Sequence, residues 1–141
     1  MDHIQVPQQV YQAILGTIGA NPIESGGVLA MKENTITDFY FDIHAGVGSR
    51  FYRPSAHLIT KQVNTWIAEQ KQFAGFIHSH PAPYVGLSAM DIVAAEKTMA
   101  ANQMQTIYMA ILCEKSLYFY KIIPQEGKDH PAVQHCTVQI I

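Results

Sequence analysis

The alternation of apolar and polar positions along the chain predicts nine elements. Val10, Ile14 and Ile18 recur at i, i+4 and i+8 with Tyr11 and Leu15 beside them. With Pro7 in the first turn, that spacing predicts a helix to about Gly19. ANP ends it, and ESGGVLAMK then reads as a strand with a glycine-rich entry. Residues 35–43 read as a second, half-buried strand, in which Phe39, Phe41 and Ile43 alternate with Asp38, Tyr40 and Asp42. Residues 44–54, HAGVGSRFYRP, read as a loop with an extended piece around Phe51.

Ser55 is placed to cap a helix to about Gln70, with Ile59, Val63, Trp66 and Ile67 as its apolar stripe. FAGFI is a short buried strand ending at His78, and Ser88 opens a helix to about Ala101. Residues 106–113 and 116–123 pair as a hairpin around Glu114-Lys115, and a last strand spans 133–140. The order α β β α β α β β β predicts an α/β (α+β) fold, a single mixed sheet flanked by helices. At 141 residues the expectation is a single domain over 1–141.

Composition narrows the function classes. Hydrophobic residues make up 48% and charged residues 14%, which excludes a disordered chain. Net charge is −2 with no basic stripe, so neither nucleic acid nor an anionic membrane is an expected partner. The opening MDHIQVPQQV has no signal-peptide pattern, and no apolar run reaches transmembrane length. Cys113 and Cys136 lie in apolar, strand-like context without a C-x-x-C, which reads as two reduced, buried thiols in a cytoplasmic protein.

The chemistry concentrates in FAGFIHSHPAPYVGLSAMDIVAAE, residues 73–96. Residues i and i+2 of a strand share a face, about 7 Å apart along the rise. His78 and His80 can therefore converge on one ion. Pro81 ends the strand, and the loop APYVGL returns the chain to Ser88 and Asp91 at a helix start. Asp91 offers a third ligand, and two histidines, one carboxylate and an open position describe a catalytic zinc site. Each piece also has a plainer role. Ser88-x-x-Asp91 is a capping-box pattern, His78 alone could be a hydrogen-bonded core histidine, and His80 alone a surface residue. Their gathering within fourteen positions at a strand end favours the metal site.

His78-x-His80-Pro81, six residues, then Ser88-x-x-Asp91 resembles the signature of the JAMM (MPN+) zinc metalloprotease family, in its minimal prokaryotic form. RFYRP, residues 50–54, is similar to a motif that members carry before the helix leading into the histidine strand. The resemblance runs from about Pro7 to about Cys113. It implies an MPN/JAMM-like fold with cytidine-deaminase-like layering, and Zn²⁺ held by His78, His80 and Asp91. It also implies Glu24 as general base and Ser88 Oγ as oxyanion donor. By residue type alone, Glu24 could equally be a solvent-exposed acid at a strand start.

The implied activity is hydrolysis of a peptide or isopeptide bond, next to the C-terminal tail of a ubiquitin-like or sulfur-carrier β-grasp protein. Substrate is expected to lie extended along residues 46–54 and 82–87, on an exposed strand edge. The alternative is a non-catalytic MPN-type interaction scaffold that keeps a metal site. The H-x-E with P-C-x-x-C of the zinc deaminases and the helical H-E-x-x-H of zincins are both absent from the sequence.

Overall fold

The computed structural model describes residues 2–42 and 55–141. Over them the chain runs β1 (His3–Val6), α1 (Gln8–Gly16), a 3-10 turn (Ile18–Ala20), β2 (Gly26–Lys32) and β3 (Thr35–Phe41). There follow α2 (Ala56–Ala68), β4 (Gln72–Ser79), α3 (Ala89–Asn102), β5 (Ile107–Cys113), β6 (Ser116–Ile123) and β7 (Ala132–Ile140). The strands close into a barrel in the order β1-β3-β2-β4-β5-β6-β7. β4 and β5 pair in parallel, joined through α3, and β1 is parallel to both of its neighbours. The other pairs are antiparallel.

The expected single mixed sheet flanked by helices is thus corrected to a closed seven-stranded barrel with three α-helices among the described residues. The element that changes the architecture is β1. Its four residues alternate outward His3 and Gln5 with fully buried Ile4 and Val6. It pairs from His3↔Thr137 to Val6↔Ile140 and meets β3 at Gln5↔Thr35. Those partners lie far along the chain, and four residues before Pro7 are too few to stand out as a strand.

Two apolar clusters explain the continuous hydrophobic runs. Leu29, Ile77, Ala110 and Phe119 pack with Ile4, Ile14 and Ile18, whereas Val28, Phe76 and Met109 pack with Ile59 and Trp66 of α2 and Ala95 and Met99 of α3. β2 and β5 contribute to both clusters, so their two faces are both covered and both read as unbroken apolar sequence. Gly75 sits where β4 meets β5 closely. A Cβ there would stand 1.8 Å from the Tyr108 carbonyl oxygen, and its φ of +148° also favours glycine.

Several local expectations shift. α1 stops at Gly16, and the 3-10 turn carries Ile18 into the core. Ser55 precedes α2 without a side-chain cap; its backbone N–H instead donates to Asp42 Oδ2 at 2.7 Å. Ile67 is exposed, so the α2 stripe is Ile59, Val63 and Trp66. The hairpin forms as expected, with Glu114 at a positive φ in its turn. Every described strand has two neighbours in the barrel, and β1 meets β3 at Gln5↔Thr35 alone. The expectations for Ile43, the loop 44–54 and RFYRP lie outside the described residues.

Candidate metal centre

Three chain segments meet at the end of β4. The β2–β4 register pairs Gly26 with His78, which brings the residues ahead of β2 alongside the histidines. Ser79 tightens that junction. Its N–H donates to the Ser25 carbonyl at 2.9 Å, and its Oγ accepts from the Ser25 N–H at 3.1 Å. Glu24 is therefore delivered to His78 by its neighbour. β4 also pairs with β5, and the His80 N–H extends that ladder to the Leu112 carbonyl at 3.0 Å. The crossover then returns the chain into α3.

The α3 start is a complete capping box. The Asp91 N–H donates to Ser88 Oγ at 3.1 Å, and the Ser88 N–H donates to Asp91 Oδ2 at 2.8 Å. The plainer role considered for Ser88 and Asp91 is present. It does not exhaust them. Asp91 Oδ1 also lies 2.7 Å from His78 Nε2, and Oδ2 lies 3.7 Å from His80 Nε2. The two imidazole centroids are 4.6 Å apart. On the other side of the His78 ring, Nδ1 is 3.1 Å from Glu24 Oε1.

These contacts set the protonation of His78, which is buried. Burial alone would lower its pKa. Hydrogen bonds to Asp91 and Glu24, with their charges, override that and raise it from 6.5 to about 9. Burial would raise the Asp91 carboxyl, yet His78 and the Ser88 N–H and hydroxyl hold it below its usual value. Without an ion the cluster is thus an imidazolium between two carboxylates.

The same groups suit a cation. Glu24, His78 and His80 can each aim one donor atom so that all lie within 4.8 Å of one another. Asp91 lies outside that compact set, with Oδ1 against His78 Nε2 and Oδ2 3.7 Å from His80 Nε2. Among the described residues, His80 Nδ1 is buried without a hydrogen-bond partner. Two imidazoles and carboxylate oxygens form a donor set that zinc accepts, so the residues fit a metal.

The five expected site residues, Glu24, His78, His80, Ser88 and Asp91, all line one cleft of about 1400 Å³. Ile23, Tyr84 and Met90 give it an exposed apolar rim. Two contributors went unread in the sequence. Ser79 lies between the two histidines, and its hold on Ser25 spans 54 residues. Tyr120, whose hydroxyl reaches the Val85 carbonyl at 2.7 Å, carries no sequence signal beyond strand alternation.

No protein-family profile matches the chain, and no curated protein matches its sequence. Solved structures do align. Protein DSY2949 from Desulfitobacterium hafniense, a solution structure, aligns at TM-score 0.66 with 15% identity over 98% of this chain and 94% of that one. The crystal structure of AF2198, a JAB1/MPN domain protein from Archaeoglobus fulgidus, aligns at TM-score 0.49 with 16% identity, over 95% and 99% respectively. The first likeness shows a shared fold. No helix among the described residues is long and apolar enough to cross a membrane.

Proposed function

We propose that this protein is a zinc-dependent hydrolase of the JAMM type, cleaving a peptide or isopeptide bond in an extended protein tail. The observation that supports it is the meeting of His78, His80, Asp91 and Glu24 in one cleft. His78, His80 and Asp91 are the ligands in this reading. Zinc bound there would lower the pKa of a water towards ~7 and polarise the scissile carbonyl.

The protein's own groups divide the remaining work. Glu24 accepts the attacking water's proton and delivers it to the leaving amine. Its contact with His78 Nδ1 adds an orienting role, because a proton held on Nδ1 leaves the Nε2 lone pair facing Asp91 and His80. Ser88 Oγ uses a lone pair to cap α3, so its proton stays available to an oxyanion. The capping box also restrains Asp91, because Oδ2 is held by the Ser88 N–H while Oδ1 faces His78.

Substrate class follows from the sequence resemblance: the tail of a ubiquitin-like or sulfur-carrier β-grasp protein. The apolar rim suits an extended chain entering beside residues 82–87. The test is metal analysis of the purified protein, then hydrolysis of a β-grasp carrier fused to a reporter amine. One zinc per chain with chelator-sensitive release of the reporter is expected. A zinc-loaded protein that leaves every such fusion intact contradicts the hydrolase.

A further inference from the structure

The wall of the cleft between β4 and α3 is a loop, residues 81–87, with no helix or strand of its own. Inside it, the Tyr84 N–H donates to the Pro81 carbonyl at 3.0 Å. Among the described residues, its middle is tied to the barrel by the Tyr120 hydroxyl, which donates to the Val85 carbonyl at 2.7 Å. Tyr120 lies on β6, in register with His135 of β7. Those two rings stack at a centroid distance of 5.1 Å and an interplanar angle of 27°. Tyr118 also stacks on His135, at 6.4 Å and 24°. Two strands outside the metal cluster thus aim one hydroxyl at the loop. Burial raises the pKa of that hydroxyl, with the neighbouring Tyr118 adding to it, so it remains a donor at neutral pH.

We propose that Tyr120 is a positioning residue. By holding Val85 it keeps residues 81–87 as a fixed wall against which the substrate chain lies, with His135 fixing the direction of the ring. The proposal rests on reading the cleft as a hydrolase site. Tyr84 and Leu87 are the loop side chains that would meet substrate, since both line the cleft and Tyr84 is 66% exposed. A loop freed from Val85 would have to be ordered again at each binding event, which weakens binding and leaves the bound geometry, and hence kcat, largely intact.

The test compares Tyr120→Phe with Tyr118→Phe in the full chain loaded with zinc. Both keep the stack on His135, and only the first removes the bond to Val85. In Tyr120→Phe, amide exchange across residues 81–87 should rise about threefold to tenfold, the range one neutral hydrogen bond supplies. KM for a peptide substrate should rise by a similar factor, with kcat and zinc content unchanged. Tyr118→Phe should match wild type in all of these. A dipeptide hydroxamate and acetohydroxamate give the same comparison without turnover. Tyr120→Phe should weaken the former and leave the latter, which reaches only the metal, unaffected. Unchanged loop exchange overturns the anchor, and faster exchange with unchanged KM and dipeptide affinity overturns the positioning role. A wild type that binds zinc but cleaves nothing sinks the hydrolase reading and leaves the hydroxamate comparison to decide this one.

Discussion

Two charged clusters tie distant segments of the barrel together, and they are built on different principles. Near the β1 end, Asp2 Oδ2 pairs with Lys121 Nζ at 2.8 Å and accepts from the Tyr108 hydroxyl at 3.3 Å. The hydrogen bond to Lys121 holds the Asp2 carboxyl below its ordinary pKa against a smaller effect of burial. Burial, with Asp2 beside it, pushes Tyr108 up to about 12. One carboxylate meets one permanent cation in a partly solvated setting, and the cluster is complete with protein groups alone. In the cleft, by contrast, Glu24 and Asp91 face two histidines. That cluster holds a proton on His78, and among the described residues His80 Nδ1 has no hydrogen-bond partner. The first arrangement is a latch. The second is a seat whose proton a metal can replace.

The largest effect expected from this contrast is on metal content. His78→Ala and His80→Ala should each lose zinc by more than the roughly 10–100-fold that removing an outer-shell partner costs. Metal analysis after dialysis measures it, and full occupancy in the double variant contradicts the seat. Glu24→Gln, which keeps shape but cannot accept a proton, should retain zinc while kcat falls by about 10²–10⁴-fold. Normal turnover would move the general base elsewhere.

Ser88→Ala should lower kcat by on the order of 10²–10³ and destabilise α3 by about 1 kcal/mol, since one hydroxyl both caps and donates. If its melting temperature drops while kcat holds, Ser88 is a cap alone. The protonation of His78 gives a pH signature in the metal-free protein. Its folded pKa is raised, so its contribution to stability is fully present below about 6.5 and is lost as pH rises through about 9. Denaturant midpoints measured between pH 6 and 9.5 should fall over that window, and in His78→Gln the fall should be absent. The smallest effect belongs to the latch. Asp2→Asn should cost no more than about 1 kcal/mol, the range of exposed ion pairs, and leave zinc affinity unchanged.

What the sequence disclosed follows from the range of the interactions involved. His78, His80, Ser88 and Asp91 lie on one strand end and the next helix start, so local spacing was enough to group them. The hairpin of β5 and β6 and the buried run of β2 were legible for the same reason. Barrel closure was not, because β1 has four residues and gains its identity from a partner more than 130 residues away, as the bond between His3 Nδ1 and Thr137 Oγ1 illustrates. The approach of Glu24 to His78 depends on the β2–β4 register and on Ser79 gripping Ser25. A residue type beside two glycines could suggest Glu24 but could not locate it. Tyr120 shares its face with Tyr118, and nothing local distinguishes the one that reaches Val85.

The central claim is that the protonated cluster in the cleft is a metal site with Asp91 as a ligand and Glu24 beside it. Zinc titrated calorimetrically into the metal-free protein at pH 7, in two buffers of different ionisation enthalpy, tests it most directly. The prediction is one zinc per chain with about one proton released, because His78 is charged before the ion enters and must give up its Nε2 proton. Asp91→Asn should weaken that binding strongly, and Glu24→Gln should preserve it. Failure to bind zinc, or binding that survives Asp91→Asn and is lost in Glu24→Gln, would contradict the account.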